Sequence, residues 1–123
     1  MGRILLDTSA VIAYFRRERG HEEVAGVWDS ECFMSAAQWA EVASYYCLEP
    51  ASWALVSAVL LHHGVTVVPV TTDDGARAGL MRRSRPSLSL GDRLCLATAE
   101  RLGSEVLTAD RAWGDEAPIR QIR

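Results

Sequence analysis

The sequence predicts an α/β domain of three layers, with helices on both faces of a central, mostly parallel sheet. Three observations carry that prediction. Short apolar runs alternate with helical patterns from one end of the 123-residue chain to the other. The runs are continuously apolar, as strands covered on both faces are. The composition, 49% apolar and 24% charged, is that of a folded domain, and the length suits one core.

The elements follow in order. Arg3-Ile4-Leu5-Leu6 is the first strand, and Asp7-Thr8-Ser9 opens a helix over Ala10–Glu18 that Gly20 closes. His21–Trp28 is a second helix with Val24, Val27 and Trp28 on one face. Cys32–Ser35 is a short strand, and Ala36–Cys47 is a helix rich in alanine and aromatics. Pro50 breaks the chain before a helix over Ala51–His63, stopped by Gly64. Val65–Val70 is β-branched and reads as a buried strand. Thr72 caps a helix from Asp73 to about Arg83, and Pro86 ends that region. Ser89 caps Leu90–Leu102, stopped by Gly103; Glu105–Thr108 is the next strand, and Ile119–Ile122 closes the sheet.

Composition removes several chemistries. Arginine supplies all 13 basic side chains, there is no lysine, and the net charge is −3. Lysine-dependent phosphate loops, Schiff bases and receiver-type phosphorylation are therefore excluded. Haloacid-dehalogenase-type phosphatases need D-x-D after the first strand, where this chain has Ser9 as the third residue. Dinucleotide-binding and flavodoxin-like domains need a phosphate loop there, and Asp7 repels phosphate unless a metal bridges the two. Cys32, Cys47 and Cys95 are far apart among apolar neighbours and read as reduced core thiols. Of the three histidines, His62 and His63 sit together at a helix end, a favourable place for them beside the helix dipole, so no acid–base pair for metal-free RNA cleavage is evident. MGRILLDTS has no signal-peptide pattern, and the longest apolar stretch, Ala51–Leu61, is too short to span a bilayer. A cytoplasmic protein with no membrane partner is expected.

Ligands of open parallel sheets bind outside the carboxyl ends of the strands. Four acids fall near that edge. Asp7 directly follows the first strand, Asp110 lies two residues after Glu105–Thr108, Glu41 is within two turns of Cys32–Ser35, and Asp92 is in the first turn of Leu90–Leu102. Each acid also has a structural explanation. Asp7 can cap the helix it precedes. Ser89 and Asp92 have the spacing of a capping box. Asp110 sits in a turn, where aspartate is common. Glu41 is the only charged residue between Phe33 and Leu48, on a helix that reads as mostly buried, and can share a narrow polar stripe with Gln38 and Ser44. Gathered in one pocket, four carboxylates repel unless a cation sits among them, and an all-oxygen pocket suits Mg²⁺ or Mn²⁺ rather than zinc.

Together, Leu5-Leu6-Asp7-Thr8-Ser9, Ser35 followed by Glu41, Leu88-Ser89-Leu90-Gly91-Asp92 and Leu107-Thr108-Ala109-Asp110 resemble the PIN-domain nucleases. The nearest likeness is to the toxin ribonucleases of VapBC toxin–antitoxin modules. The resemblance implies a PIN-like fold for residues 1–123 as a single domain. It implies a Mg²⁺-dependent ribonuclease, with Mn²⁺ as a substitute, hydrolysing RNA phosphodiester bonds by metal-activated water. Asp7 and Asp92 would hold the metal, Glu41 and Asp110 would complete the catalytic acids, and Thr8, Ser9 and Thr108 would orient them. The implied partners are an RNA substrate, a cognate antitoxin lying across the acidic pocket, and a second copy of the chain in a homodimer. Arg82, Arg83 and Arg85 form the densest basic cluster and are candidate RNA contacts; Arg93 and Arg111 immediately follow two of the acids. Asp115 reads as a surface turn. The alternatives are a non-catalytic PIN-like module that binds RNA or protein, its acids serving as helix caps, and a metal-dependent phosphohydrolase for small molecules.

Overall fold

The computed structural model describes residues 2–123. Its strands are β1 (Arg3–Leu6), β2 (Glu31–Ser35), β3 (Thr66–Val68), β4 (Glu105–Thr108) and β5 (Ile119–Gln121). They form one sheet in the order β3-β2-β1-β4-β5, and every neighbouring pair is parallel. The helices are α1 (Thr8–Phe15), α2 (His21–Ala25), α3 (Ala36–Tyr45), α4 (Pro50–His62), α5 (Thr72–Leu80) and α6 (Leu90–Leu102), with single 3₁₀ turns at Met81–Arg83 and Arg111–Trp113.

The continuous apolar run of β1 follows from its two covered faces. Side chains alternate along a strand. Ile4 and Leu6 join the core beneath α1–α4, with Val11, Met34, Val42, Leu60 and Leu107. Leu5 points the other way, into a second core with Cys95, Leu96, Ala99 and Val106. Burying each such leucine stabilises the fold by about 1.5–3 kcal/mol. No helix among the described residues is long and apolar enough to cross a membrane.

Several boundaries differ from the sequence expectation, each for a local reason. The first helix ends at Phe15 rather than Glu18, because Arg17 turns left-handed at φ 53°. Gly20, read as the helix stop, has φ 97° and lies where a Cβ would stand 2.5 Å from the carbonyl oxygen of Ile122. The second helix ends at Ala25, capped by Gly26, and Trp28 instead stacks on His63 with ring centroids 4.4 Å apart. Thr71, not Thr72, caps α5: its hydroxyl accepts from Asp74 N while the Asp74 carboxylate accepts from Thr71 N. β3 stops at Val68, before Pro69, which has no N–H for a ladder. The helix bearing Glu41 is not mostly buried: only Gln38 and Val42 are buried on it, and Glu41 itself is exposed. Cys32 and Cys95 are buried, but Cys47 lies exposed beyond the end of α3.

The strand order determines where a site can form. From β1 the chain lays β2 and β3 to one side, then crosses back to add β4 and β5 on the other. The carboxyl ends of β1 and β4 thus flank a topological switch point, where open sheets leave a crevice.

Candidate functional site

Asp7 sits in that crevice. Its N–H donates to Leu107 O at 2.9 Å, tying it to β4, and its carbonyl accepts from the N–H groups of Ala10 and Val11. The backbone therefore caps α1, while the side chain makes no cap bond. Instead Oδ2 accepts from the hydroxyls of Ser9, at 2.7 Å, and Thr108, at 2.8 Å. Each hydroxyl has one proton and gives it to Asp7, so the 3.1 Å contact between Ser9 Oγ and Thr108 Oγ1 carries none. The hydroxyl oxygens in turn accept from the N–H groups of Ala109 and Asp110. Both hydroxyls donate to Oδ2, and Asp7 lines the cavity beside it.

Asp7 is only 3% exposed. Burial pushes its carboxyl from the ordinary 3.8 up to about 6; the Ser9 and Thr108 hydroxyls oppose that rise, and the negative charge of Asp92 adds to it. A carboxylate so placed carries an uncompensated cost when ionised, which a bound cation would relieve.

The remaining acids arrive from three other segments. Ser35 ends β2 and caps α3, its Oγ accepting from Ala37 N, which directs Glu41 toward the same rim. Glu41 Oε1 accepts from Thr8 Oγ1 at 2.7 Å and from Gln38 Nε2 at 3.3 Å. Asp92 completes the capping box of α6: Ser89 N donates to Asp92 Oδ2 at 3.0 Å, and Asp92 N donates to Ser89 Oγ at 3.1 Å. Asp110 caps the 3₁₀ turn that follows β4, its Oδ1 accepting from Ala112 N at 2.9 Å. Asp7, Glu41, Asp92 and Asp110 line one cavity of about 340 Å³ together with Thr8, Ser9, Ile12, Glu18 and Arg123. Behind it the Cys95 thiol is pushed well above its usual range by burial and by the charges of Asp7, Asp92 and Glu41.

The cavity's donors are carboxylate and hydroxyl oxygens, with no histidine or cysteine in the lining. That set fits Mg²⁺ or Mn²⁺ and not zinc. Among the described residues no three His, Cys, Asp or Glu side chains are drawn together tightly enough to enclose an ion. Mg²⁺ does not require such a cage, because it keeps several waters and takes one or two carboxylates. Volume alone does not choose the site. A roomier cleft of about 650 Å³ is lined by Met81, Leu96, Ala99, Gly103, Ser104 and Pro118, among others. It lies at the amino ends of β4 and β5, away from the rim where parallel sheets bind ligands.

The arginines of the sequence reading are not gathered here. Arg82 and Arg83 lie exposed on the 3₁₀ turn after α5, and Arg85 Nη1 donates to Trp113 O at 3.3 Å; none lines the acidic cavity. Arg93 is buried, its guanidinium donating to Ala78 O, Gly79 O and Ser89 O, so it binds α5 to α6 rather than facing a ligand. Asp115 is exposed and lines neighbouring clefts instead. The sequence reading missed Glu18 and Arg123 as lining residues. Gln38, which the sequence offers as a member of a polar stripe with Glu41, is instead fully buried and donates to Glu41; its i,i+3 spacing from Glu41 is the signal for that contact.

The PIN domain family matches residues 4–115, and the chain belongs to that family. Among solved structures it is similar to a toxin–antitoxin complex from Klebsiella pneumoniae, with a TM-score of 0.80, 20% identity and 98% of each chain covered. It is similar to VapBC2 from Rickettsia felis bound to a promoter DNA fragment, with a TM-score of 0.77, 10% identity, and 97% of this chain and 98% of that one covered. It is also similar to VapC20 from Mycobacterium tuberculosis, a sarcin–ricin loop cleaving toxin, with a TM-score of 0.66, 19% identity, and 88% and 90% covered. At these identities the likeness is one of fold. No curated protein sequence matches the chain.

Proposed function

We propose that the chain is a Mg²⁺-dependent ribonuclease, the toxin of a toxin–antitoxin pair of the VapBC type. One observation carries the reading: Asp7, Glu41, Asp92 and Asp110 come from four separate segments to line one cavity at the switch point, and the side chain of Asp7, the most buried of them, makes no cap bond. The rival reading, a binding module whose acids are helix caps, accounts for Asp92 and Asp110. It leaves a buried, raised Asp7 without a purpose.

Asp7 and Asp92 would hold the ion, and Mn²⁺ would fit the same oxygens. Bound there, the metal supplies positive charge that activates water and stabilises charge developing on a phosphodiester. The Ser9 and Thr108 hydroxyls fix the Asp7 carboxylate through its Oδ2. Thr8 holds Glu41 at the rim through a 2.7 Å bond, and the capping box holds Asp92 at the start of α6. Glu41 and Asp110 would complete the site, orienting water and the cleaved strand. RNA is the substrate class in keeping with a fold neighbour described as a sarcin–ricin loop cleaving toxin. An antitoxin partner is in keeping with neighbours solved as toxin–antitoxin complexes. A homodimer in the cytoplasm, neutralised by an antitoxin segment laid over the acids, completes the reading.

The test is cleavage of a mixed RNA pool with Mg²⁺ and with EDTA, for the parent and for Asp7→Asn and Asp92→Asn. The parent should cleave only with Mg²⁺, and both variants should lose activity while staying folded. Variants that cleave as well as the parent would make the acids structural and end the nuclease reading.

A further inference from the structure

Two residues outside the cavity lining bear directly on Glu41. Gln38 is fully buried on α3. Its Oε1 accepts from Ser35 Oγ at 2.6 Å, and its Nε2 donates to Gly91 O at 2.8 Å and to Glu41 Oε1 at 3.3 Å. The amide cannot be turned over, because the Gly91 carbonyl only accepts and must face the nitrogen. Ser35 Oγ already accepts from Ala37 N, so its proton is free for Gln38.

Gly91 is the other residue. It is not among the glycines with positive φ, so its backbone does not require glycine. It lies inside α6, where alanine is the better helix former. What excludes a side chain is the neighbouring carboxylate: a Cβ at position 91 would stand 2.8 Å from Glu41 Oε2 and 3.3 Å from its Cδ. The Glu41 carboxylate thus occupies the space a side chain would fill, one residue before Asp92.

We infer that the Gln38 amide and the missing side chain of Gly91 are positioning elements that seat the Glu41 carboxylate against the first turn of α6, so that Glu41 and Asp92 are presented to the metal as one unit. The inference rests on the metal-ribonuclease reading. It sets stability against function at position 91. The contacted group is the far end of a flexible side chain, so a methyl there displaces Glu41 instead of disturbing the helix.

The experiment compares the parent with Gly91→Ala, Gln38→Met, Glu41→Gln and the double variant Gly91→Ala/Glu41→Gln. Melting temperature, Mn²⁺ affinity by electron paramagnetic resonance, and kcat and KM on a short RNA are measured for each. Gly91→Ala should melt at or above the parent temperature, yet bind Mn²⁺ about 10–100-fold more weakly, the range seen when groups behind metal ligands are altered. Its kcat should fall and its KM for RNA should change little. Gln38→Met, of similar length, should show the same loss with a lower melting temperature. The double variant should be no worse than Glu41→Gln alone, because Glu41 is already out of place in Gly91→Ala.

Additive losses in the double variant, or parent-like Mn²⁺ binding and cleavage by Gly91→Ala, would overturn the positioning role and leave the nuclease reading standing. A parent chain that neither binds Mn²⁺ nor cleaves RNA would remove both.

Discussion

Asp7→Asn should make the protein more stable at neutral pH and no more stable in acid. Raising a carboxyl from 3.8 to about 6 costs the folded, ionised state about 3 kcal/mol, at about 1.4 kcal/mol per tenfold change. The folded value lies above the unfolded one, so the folded chain holds this proton more tightly. Below pH 3.8 both states are protonated and Asp7 contributes no penalty. From there to about 6 the unfolded chain gives up the proton first, and stability falls as the pH rises. Above that range the full cost is present. The amide of Asp7→Asn can set its oxygen where Oδ2 accepts from Ser9 and Thr108, and it never ionises. At pH 8 the variant should therefore exceed the parent by up to about 3 kcal/mol, on the order of 10 °C in Tm for a domain of this size. At pH 4 the gap should close. Mg²⁺ at pH 8 should raise the parent's Tm by mass action and leave the variant's unchanged. Thermal melts from pH 4 to pH 8, with and without Mg²⁺, measure all of this. A gap that is the same at both pH values, or a variant less stable at pH 8, would refute the burial argument for Asp7.

Other outcomes follow from the caps and the ion pairs. Ser89→Ala removes the hydroxyl that accepts from Asp92 N and should cost about 0.5–2 kcal/mol in denaturant unfolding while leaving most RNA cleavage. Asp92→Asn keeps a capping oxygen and should cost about 1 kcal/mol or less in the same assay, yet abolish cleavage. Arg101→Met strips the partner from the fully buried Asp74, whose two carboxylate oxygens it meets at 3.0 and 3.1 Å, and should cost about 1.5–3 kcal/mol with Mg²⁺-dependent cleavage retained.

Features set by local pattern could be read directly from the sequence. β1 and β4 are apolar on consecutive positions because both of their faces are covered, and Ser89 and Gly103 bound α6 at both ends. Asp7, Asp92 and Asp110 were legible because each stands just after a strand or at a helix start, and parallel topology brings those points to one rim; Glu41, in the middle of α3, was legible as the one charge between Phe33 and Leu48. Effects that depend on distant partners were not legible. Gln38 meets Gly91 across 53 positions. Arg93 beside Asp92 looked like a phosphate contact, yet its carbonyl partners Ala78 and Gly79 end a helix 14 or 15 positions earlier. Arg82, Arg83 and Arg85 are close together in the chain, and none of them lines the acidic cavity. Thr71 and Thr72 are equally good caps by composition, and the choice between them depended on Asp74 being able to bond back to Thr71 N.

The bond between Thr108 and Asp7 spans 101 positions, and Ala109 meets Ser9 across 100. Contacts of such long range form late, since a long loop must close before they repay its entropy. A chain leaving the ribosome amino end first can pair β1, β2 and β3 early. It has no cavity until β4 has been made and inserted beside β1. Until then Asp7 lacks the Thr108 hydroxyl and one wall of its crevice, and Asp110 does not yet exist. The acidic site thus requires β4 and Asp110 and cannot form from β1–β3 and their helices alone. On the ribonuclease reading proposed above, that order would leave the nascent chain without its acidic site while it is still beside the ribosome that is making it.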